Sequence, residues 1–408
     1  MTNAAITLEQ KYCASNYQPL PVVLCKGQGV WLWDEEGRRY MDMMSAYSAV
    51  SFGHSHPQLI AALTSQAQKL AVTSRAFYSD RLGPFLQTLC ELTGMARALP
   101  MNSGAEAVET ALKAARKWGH KVKGIADNRA RIIVCKGNFG GRTTTIVGFS
   151  SEAQYRDGFG PFDGGFDTIP FGDAAALEAA ITPETAAFLV EPIQGEGGIV
   201  MPPDGYLKQC RDICTRHNVL LICDEVQTGL ARTGRLLACD HEQIRPDGLV
   251  LGKALGGGLL PVSAFLARED VMRVFTPGDH GSTFGGNPLA AAVGLAALQL
   301  LRDGALAANA ERMGQRLRDG LRAIAHPAIR QVRGRGLLIG MELDPALISA
   351  KLFCERLMQE GILSKETHET VVRFAPPLII DADQIDVALQ AIRQTFLTFT
   401  EPAREPAL

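Results

Sequence analysis

Lys253 is the one cation in the stretch "LGKALGGGLLP", Leu251 to Pro261, which otherwise holds only apolar residues and glycine. An apolar pocket lowers an amine's pKa and leaves the neutral nucleophile that Schiff-base chemistry requires, and flanking glycines let backbone approach a ligand closely. A lysine after an apolar strand can also snorkel to solvent or pair with an acid. A Walker-type phosphate lysine is a further rival, but that motif places its glycines before "GK" and a Ser or Thr after it. Here Ala254 follows, and the glycines come later.

A second apolar run, "VLLICDEV", ends in Asp224. A carboxylate there is costly unless a cation meets it, and a protonated pyridine nitrogen is one such cation. An aspartate on a ring nitrogen and a lysine on an aldehyde are the two electronic requirements of pyridoxal phosphate (PLP) chemistry. An ordinary buried ion pair is the plainer alternative. A phosphate would also need a cradle. In "MNSGAEAVETALKAARKW", Asn102 or Ser103 stands as N-cap with Gly104 in the first turn, so free N–H groups and a helix dipole are offered to an anion. A third run, "AAFLVEP", ends in Glu191, with Glu196 just beyond in "IQGEGG".

These residues need strands whose carboxyl ends converge, which is where ligands bind in α/β sheets. From about Thr88 onward helical patterns alternate with "RIIVC", "TTIVGF", "AAFLVEP", "VLLICDEV", "DGLVLGK" and "PVSAFLAR". Several are continuously apolar, as strands of a mainly parallel sheet buried on both faces should be. The expected fold is α/β, with an N-terminal segment over residues 1–47 whose "GVWLWDEEGRRYMDM" predicts a hairpin, a large domain over 48–287, and a smaller α+β domain over 288–408. The last holds the helical stretches "PLAAAVGLAALQLLRDG" and "ALAANAERMGQRLRDGLRAIA", then "VRGRGLLIGMEL" and "VVRFAPPLII". The tail "TEPAREPAL" reads as frayed.

A chain of 408 residues has ample apolar content for two or so packed domains, and its formal net charge of -2 carries no block of like charge. Nothing therefore points to a nucleic-acid groove or a polybasic membrane anchor. Apolar runs break before spanning length, and the nine cysteines are scattered with no secretory leader, which predicts a cytoplasmic protein with reduced thiols. Cys210 and Cys214 could share a helical face, but no second Cys/His pair stands at zinc spacing and His54 and His56 lack an obvious third ligand, so no metal is expected.

Taken in order, the blocks "SAYSAVSFGHSHP", "TSRAFYSD", "MNSGAEAVETALKAARKWG", "DGFGPF", "VEPIQGEGG", "DEVQTGLARTGR", "LGKALGGG", "HGSTFGGNP" and "RFAPP" resemble the class III, fold type I PLP-dependent aminotransferases, over about Asn16 to Pro377. Within that class they resemble its ornithine-using branch. The resemblance implies Lys253 as the Schiff-base lysine, Asp224 as partner of the ring nitrogen, and Gln227 on the phenolic oxygen. It also implies Phe139 stacked on the ring, a phosphate site of Ser103, Gly104 and Ala105, and Thr283 reaching in from a second subunit of a homodimer. For substrates it implies ornithine and 2-oxoglutarate in a ping-pong exchange. Arg142 would hold the carboxylate far from the reacting atom and Arg373 the near one of the oxo acid. Glu196 would pair with Arg373 while ornithine is bound, and Tyr17 and Tyr47 would orient ornithine.

N-acetylornithine and 4-aminobutyrate aminotransferases share the lysine, aspartate and glutamine. A non-catalytic PLP- or nucleotide-binding module is a more distant reading, since "GRGLLIG" misses the GxGxxG spacing by one. One departure from the pattern is Gly140, where relatives carry a bulky aromatic or histidine. Its lack of volume beside Arg142 predicts a looser pocket that admits other ω-amines.

Overall fold

A computed structural model of the chain describes residues 3–399. The tail read as frayed, Thr400–Leu408, lies outside them. The expected hairpin forms from β2 (Trp31–Asp34) and β3 (Arg39–Asp42), and β1 (Leu24–Gln28) extends it antiparallel.

The large sheet has seven strands, β4 (Arg97–Met101), β5 (Arg131–Cys135), β6 (Phe166–Ile169), β7 (Thr185–Val190), β8 (Leu220–Asp224), β9 (Gly248–Leu251) and β10 (Ser263–Ala267). Their order is β4-β10-β9-β8-β7-β5-β6. Only β10 runs antiparallel to its neighbours. Strands β7 to β10 are buried throughout, because helices cover both faces. The helix Gly104–Trp118 packs on one face through Val108, Ala111, Leu112 and Ala115, while Tyr206–Arg216 lies against β8 with Cys210 and Cys214 both turned inward. The chain enters β8 and β9 apolar and leaves them at Asp224 and Lys253, so both side chains stand at the same sheet edge.

One expected strand is a helix instead. "TTIVGF" folds as Thr144–Gly148, since Thr143 accepts the Ile146 N–H at 3.3 Å as an N-cap, and one turn suffices to bury Ile146 and Val147. β-Branched composition favoured a strand, and the cap with tertiary burial overrode it.

The remaining strands are β11 (Ile329–Arg335), β12 (Leu338–Leu343), β13 (Ile362–Leu363), β14 (Lys365–Thr367) and β15 (Val371–Phe374). Four of them form the sheet β11-β12-β15-β14, which presents Arg373 on a fully buried strand. The short β13 pairs parallel with β3, which joins the N-terminal hairpin to the C-terminal part of the chain.

Candidate active site

Lys253 opens a tight turn, Lys253–Gly256, with φ of 45°, a left-handed conformation unusual for a side chain bearing a Cβ. Its amine sits deep among protein atoms with a little surface left open, and burial lowers it to about 8 while the Glu196 charge opposes that fall. Asp224 is 6% exposed and accepts a hydrogen bond from the Val226 N–H at 3.0 Å. Burial pushes its carboxyl up to about 6, against the Val226 N–H and the Lys253 charge. A buried acid and a buried amine thus each sit closer to neutrality than they would in water, and a protonated ring nitrogen against Asp224 would restore its charge.

Arg373, 1% exposed, donates to Glu196 Oε1 at 2.9 Å, and Gln227 Nε2 donates to the same oxygen at 3.0 Å. Burial alone would raise the Glu196 carboxyl. The charge and hydrogen bond of Arg373, the Lys253 charge and the Gln227 amide outweigh it and hold the group down to about 2. Glu196 is therefore a carboxylate across the neutral range, and it masks a buried cation. The oxygen of the Gln227 amide, Oε1, is buried with no hydrogen-bond partner.

Tyr47 reaches this pair through unusual backbone. Ser45, Ala46, Tyr47 and Ser48 all take positive φ, from 47° to 74°, and form a left-handed turn without a single glycine. Each such residue costs about 1–2 kcal/mol. Asp42, 4% exposed, holds the turn: one oxygen accepts the Met44 and Ser45 N–H groups at 2.9 and 2.7 Å, and the other meets His54 Nε2 at 2.7 Å. The Tyr47 ring lies 5.1 Å from the Arg373 guanidinium. Asp42→Ala, which strands two N–H donors, is expected to lower stability by about 2–4 kcal/mol and to raise the substrate KM about tenfold. Asp42→Asn keeps the acceptor and should retain both; urea melts and initial rates measure the difference.

The expected phosphate cradle begins at Ser103, whose hydroxyl caps the helix Gly104–Trp118 by accepting the Glu106 N–H, while Glu106 accepts the Ser103 N–H in return. The Ser263 hydroxyl pins the Ser103 carbonyl at 2.6 Å. The N–H groups of Gly104 and Ala105 have no acceptor within the helix and face outward. A Cβ at Gly104 would meet Val226 at 3.0 Å, so the glycine also serves the packing of the helix end on the Asp224 loop. Thr283 is exposed on the loop whose Ser282 accepts from Asn102 Nδ2 at 2.9 Å, beside that cradle.

Phe139 donates its N–H to Glu191 at 2.9 Å, and the other Glu191 oxygen accepts the Gly195 N–H at 3.2 Å. Glu191 thus ties the Phe139 loop to the Glu196 loop, a role that nothing in its position at a strand end foretold. Arg142 and Tyr17 line a cavity of about 280 Å³ with Asn16, Tyr155 and Phe159. Tyr17 is 77% exposed in the single chain. A larger groove of about 740 Å³ around Arg245 contains none of these residues.

Gly140 does not open this cavity as the sequence suggests. A carbon there would meet Val108 at 3.3 Å and Ile146 at 3.5 Å, so the missing volume faces the helix packing behind the loop rather than Arg142.

Residues 12–396 match the family described as aminotransferase class-III. The chain belongs to the class-III aminotransferases. A curated relative, the ornithine aminotransferase of Geobacillus sp., is 54% identical over 395 residues, covering 97% of this chain and 98% of its own. The structure of the ornithine aminotransferase from Toxoplasma gondii, described as having partial occupancy of PLP at its active site, superposes with a TM-score of 0.96 at 48% identity, covering 97% of this chain and 94% of that one. The acetylornithine aminotransferase of Elizabethkingia anophelis is also 48% identical, with a TM-score of 0.87 over 97% and 98% of the two chains. Class membership therefore leaves the choice between two related substrates to the site itself. The residues of this class-III chain fit a PLP group: a buried aspartate short of a cation, a depressed lysine, an orphaned buried amide oxygen at Gln227 and two free N–H groups at a helix end. Among the described residues no group of His, Cys, Asp and Glu could hold a metal, and no helix is long and apolar enough to cross a membrane.

Proposed function

We infer that this chain is an ornithine δ-aminotransferase, transferring the δ-amino group of L-ornithine to 2-oxoglutarate to give glutamate 5-semialdehyde and glutamate, with PLP as cofactor. The observation that carries the reading is the Glu196–Arg373 pair beside Tyr47. A site that handles an uncharged or cationic reacting end and then an α-carboxylate needs a cation it can hide, and Glu196 hides this one.

When bound, PLP supplies the electron sink into which the substrate's C–H electrons pass. Asp224 holds a proton on the ring nitrogen by its charge. With PLP held by these residues, Lys253 Nζ would take the proton from the reacting carbon of the substrate and deliver it to the cofactor's aldehyde carbon, so that the proton lost from one carbon is gained by the other. Gln227 places a polar contact on the ring edge while bracing Glu196. Arg142 binds the α-carboxylate of ornithine and then the γ-carboxylate of 2-oxoglutarate, with Tyr17 closing over the same cavity. When the oxo acid enters, Glu196 turns from Arg373 and the freed guanidinium takes the α-carboxylate in a bidentate contact. Ser103, Gly104 and Ala105 would hold the phosphate of PLP, and Phe139 would lie against its ring.

We also propose a homodimer in which Thr283 meets the neighbouring subunit's phosphate, in a cytoplasmic setting suited to nine free thiols. Exposed Phe77, Tyr78 and Phe284 support a subunit contact there, since Arg75 lies close to Gly286 on the same loop.

The test is a parallel assay of ornithine, N-acetylornithine, 4-aminobutyrate and lysine with 2-oxoglutarate, trapping the cyclised semialdehyde. Ornithine is expected to be preferred. A preference for N-acetylornithine would sink the substrate assignment and leave the class intact.

A further inference from the structure

Of the aromatic side chains that line the cavity beside Arg142, Tyr155 is the one that lies against the guanidinium. Tyr155 comes from the short helix Ala153–Arg156, thirteen positions beyond Arg142. Its ring lies 3.7 Å from the Arg142 guanidinium carbon and 6.1 Å, edge to face, from the Phe139 ring. Arg142 is otherwise an exposed side chain on a loop, and among the described residues it makes no ion pair with a carboxylate. A long side chain left so free would lose much rotamer freedom on binding an anion.

The geometry points to Tyr155 as the residue that sets specificity for a distal carboxylate. An acid placed beside Arg142 would steady it too, but would occupy its N–H donors and cancel its charge. The Tyr155 ring, with its centroid 3.7 Å from the guanidinium carbon, restrains the group without neutralising it, so the cation stays available to a carboxylate. Phe139, which packs edge-on to the same ring, fixes Tyr155 in turn, so Arg142, Tyr155 and Phe139 form one continuous chain of side-chain contacts. This inference rests on the ornithine reading only for which end of the substrate Arg142 meets.

Three substrates separate the effects: ornithine, 5-aminopentanoate, which keeps the distal carboxylate, and 1,4-diaminobutane, which lacks it. Tyr155→Leu is expected to raise KM about tenfold for ornithine, 5-aminopentanoate and 2-oxoglutarate, with kcat within about twofold and the kinetics of 1,4-diaminobutane unchanged. Tyr155→Phe, which keeps the ring, should stay within about twofold of wild type throughout. Tyr155→Gln provides a second loss of the ring should the leucine variant fold poorly. Equal losses on the diamine and on the carboxylate substrates, no change on any of them, or a phenylalanine variant as impaired as leucine would each overturn the inference. A wild-type enzyme that turns over N-acetylornithine but not ornithine would instead overturn the substrate reading, and the Tyr155 comparison would still be read on 5-aminopentanoate.

Discussion

Replacing Lys253 by alanine is expected to slow ornithine turnover by about 10⁴-fold or more, because in the proposed mechanism one amine is both the group that engages the cofactor and the base that moves the proton. The fold should survive, since Lys253 donates no hydrogen bond on which its turn depends and Leu255 and Gly257 close that turn through their own N–H groups. Added methylamine should restore part of the rate in proportion to its free-base concentration. That rescue distinguishes a lost base from a disturbed site. The direction of the pKa shift supports the role: with burial lowering the amine to about 8, a useful fraction is neutral at pH 7, whereas an ordinary lysine would be protonated almost completely. A variant that turned over ornithine at the wild-type rate would rule out the mechanism.

The second large effect concerns Glu196. Glu196→Gln removes the charge that covers Arg373 while keeping the side chain's shape, and leaves a buried guanidinium at 1% exposure without its counterion. A hydrogen bond between charged groups contributes about 1.5–3 kcal/mol, so kcat/KM for ornithine should fall about 10- to 100-fold. The reverse half of the cycle should gain, because glutamate finds Arg373 already open. Stopped-flow comparison of the two half-reactions measures both. Since Glu196 is held down to about 2, it stays ionised at any pH above that value, so the masking of Arg373 does not vary with pH across the neutral range. Only an arriving carboxylate can displace it. If both half-reactions slowed equally, Glu196 would not be the switch.

The parts of this site that the sequence made legible are those where local patterns conflict. An aspartate and a lysine closing continuously apolar strands have no cheap explanation in packing, and a Ser followed by Glu three positions on announces a helix end. Strand β4 was harder, because Pro100 argues against a strand; it is tolerated here only because β4 lies at the sheet edge. The left-handed turn at Ser45–Ser48 was illegible for a different reason. It contains none of the glycine or asparagine that normally mark positive φ, and depends on Asp42 and on a tertiary setting absent from the local sequence. Tyr155 likewise belongs to a polar loop with no periodicity, so its closeness to Arg142 exists only in three dimensions. Gly140 misled because a missing side chain shows lost volume without showing its direction.

The pairing of β3 with β13 has a consequence for how the chain is made. Arg38 donates to the carbonyl of Gln359, 321 positions away, and Met41 faces Ile362. On the ribosome the hairpin emerges first and must stay unpaired along that edge until nearly the whole chain has been translated. Strand edges left open in this way recruit other chains. Fragments ending before Ile362 should therefore aggregate through this hairpin, and the paired edge of β3 becomes a marker that synthesis has passed β13.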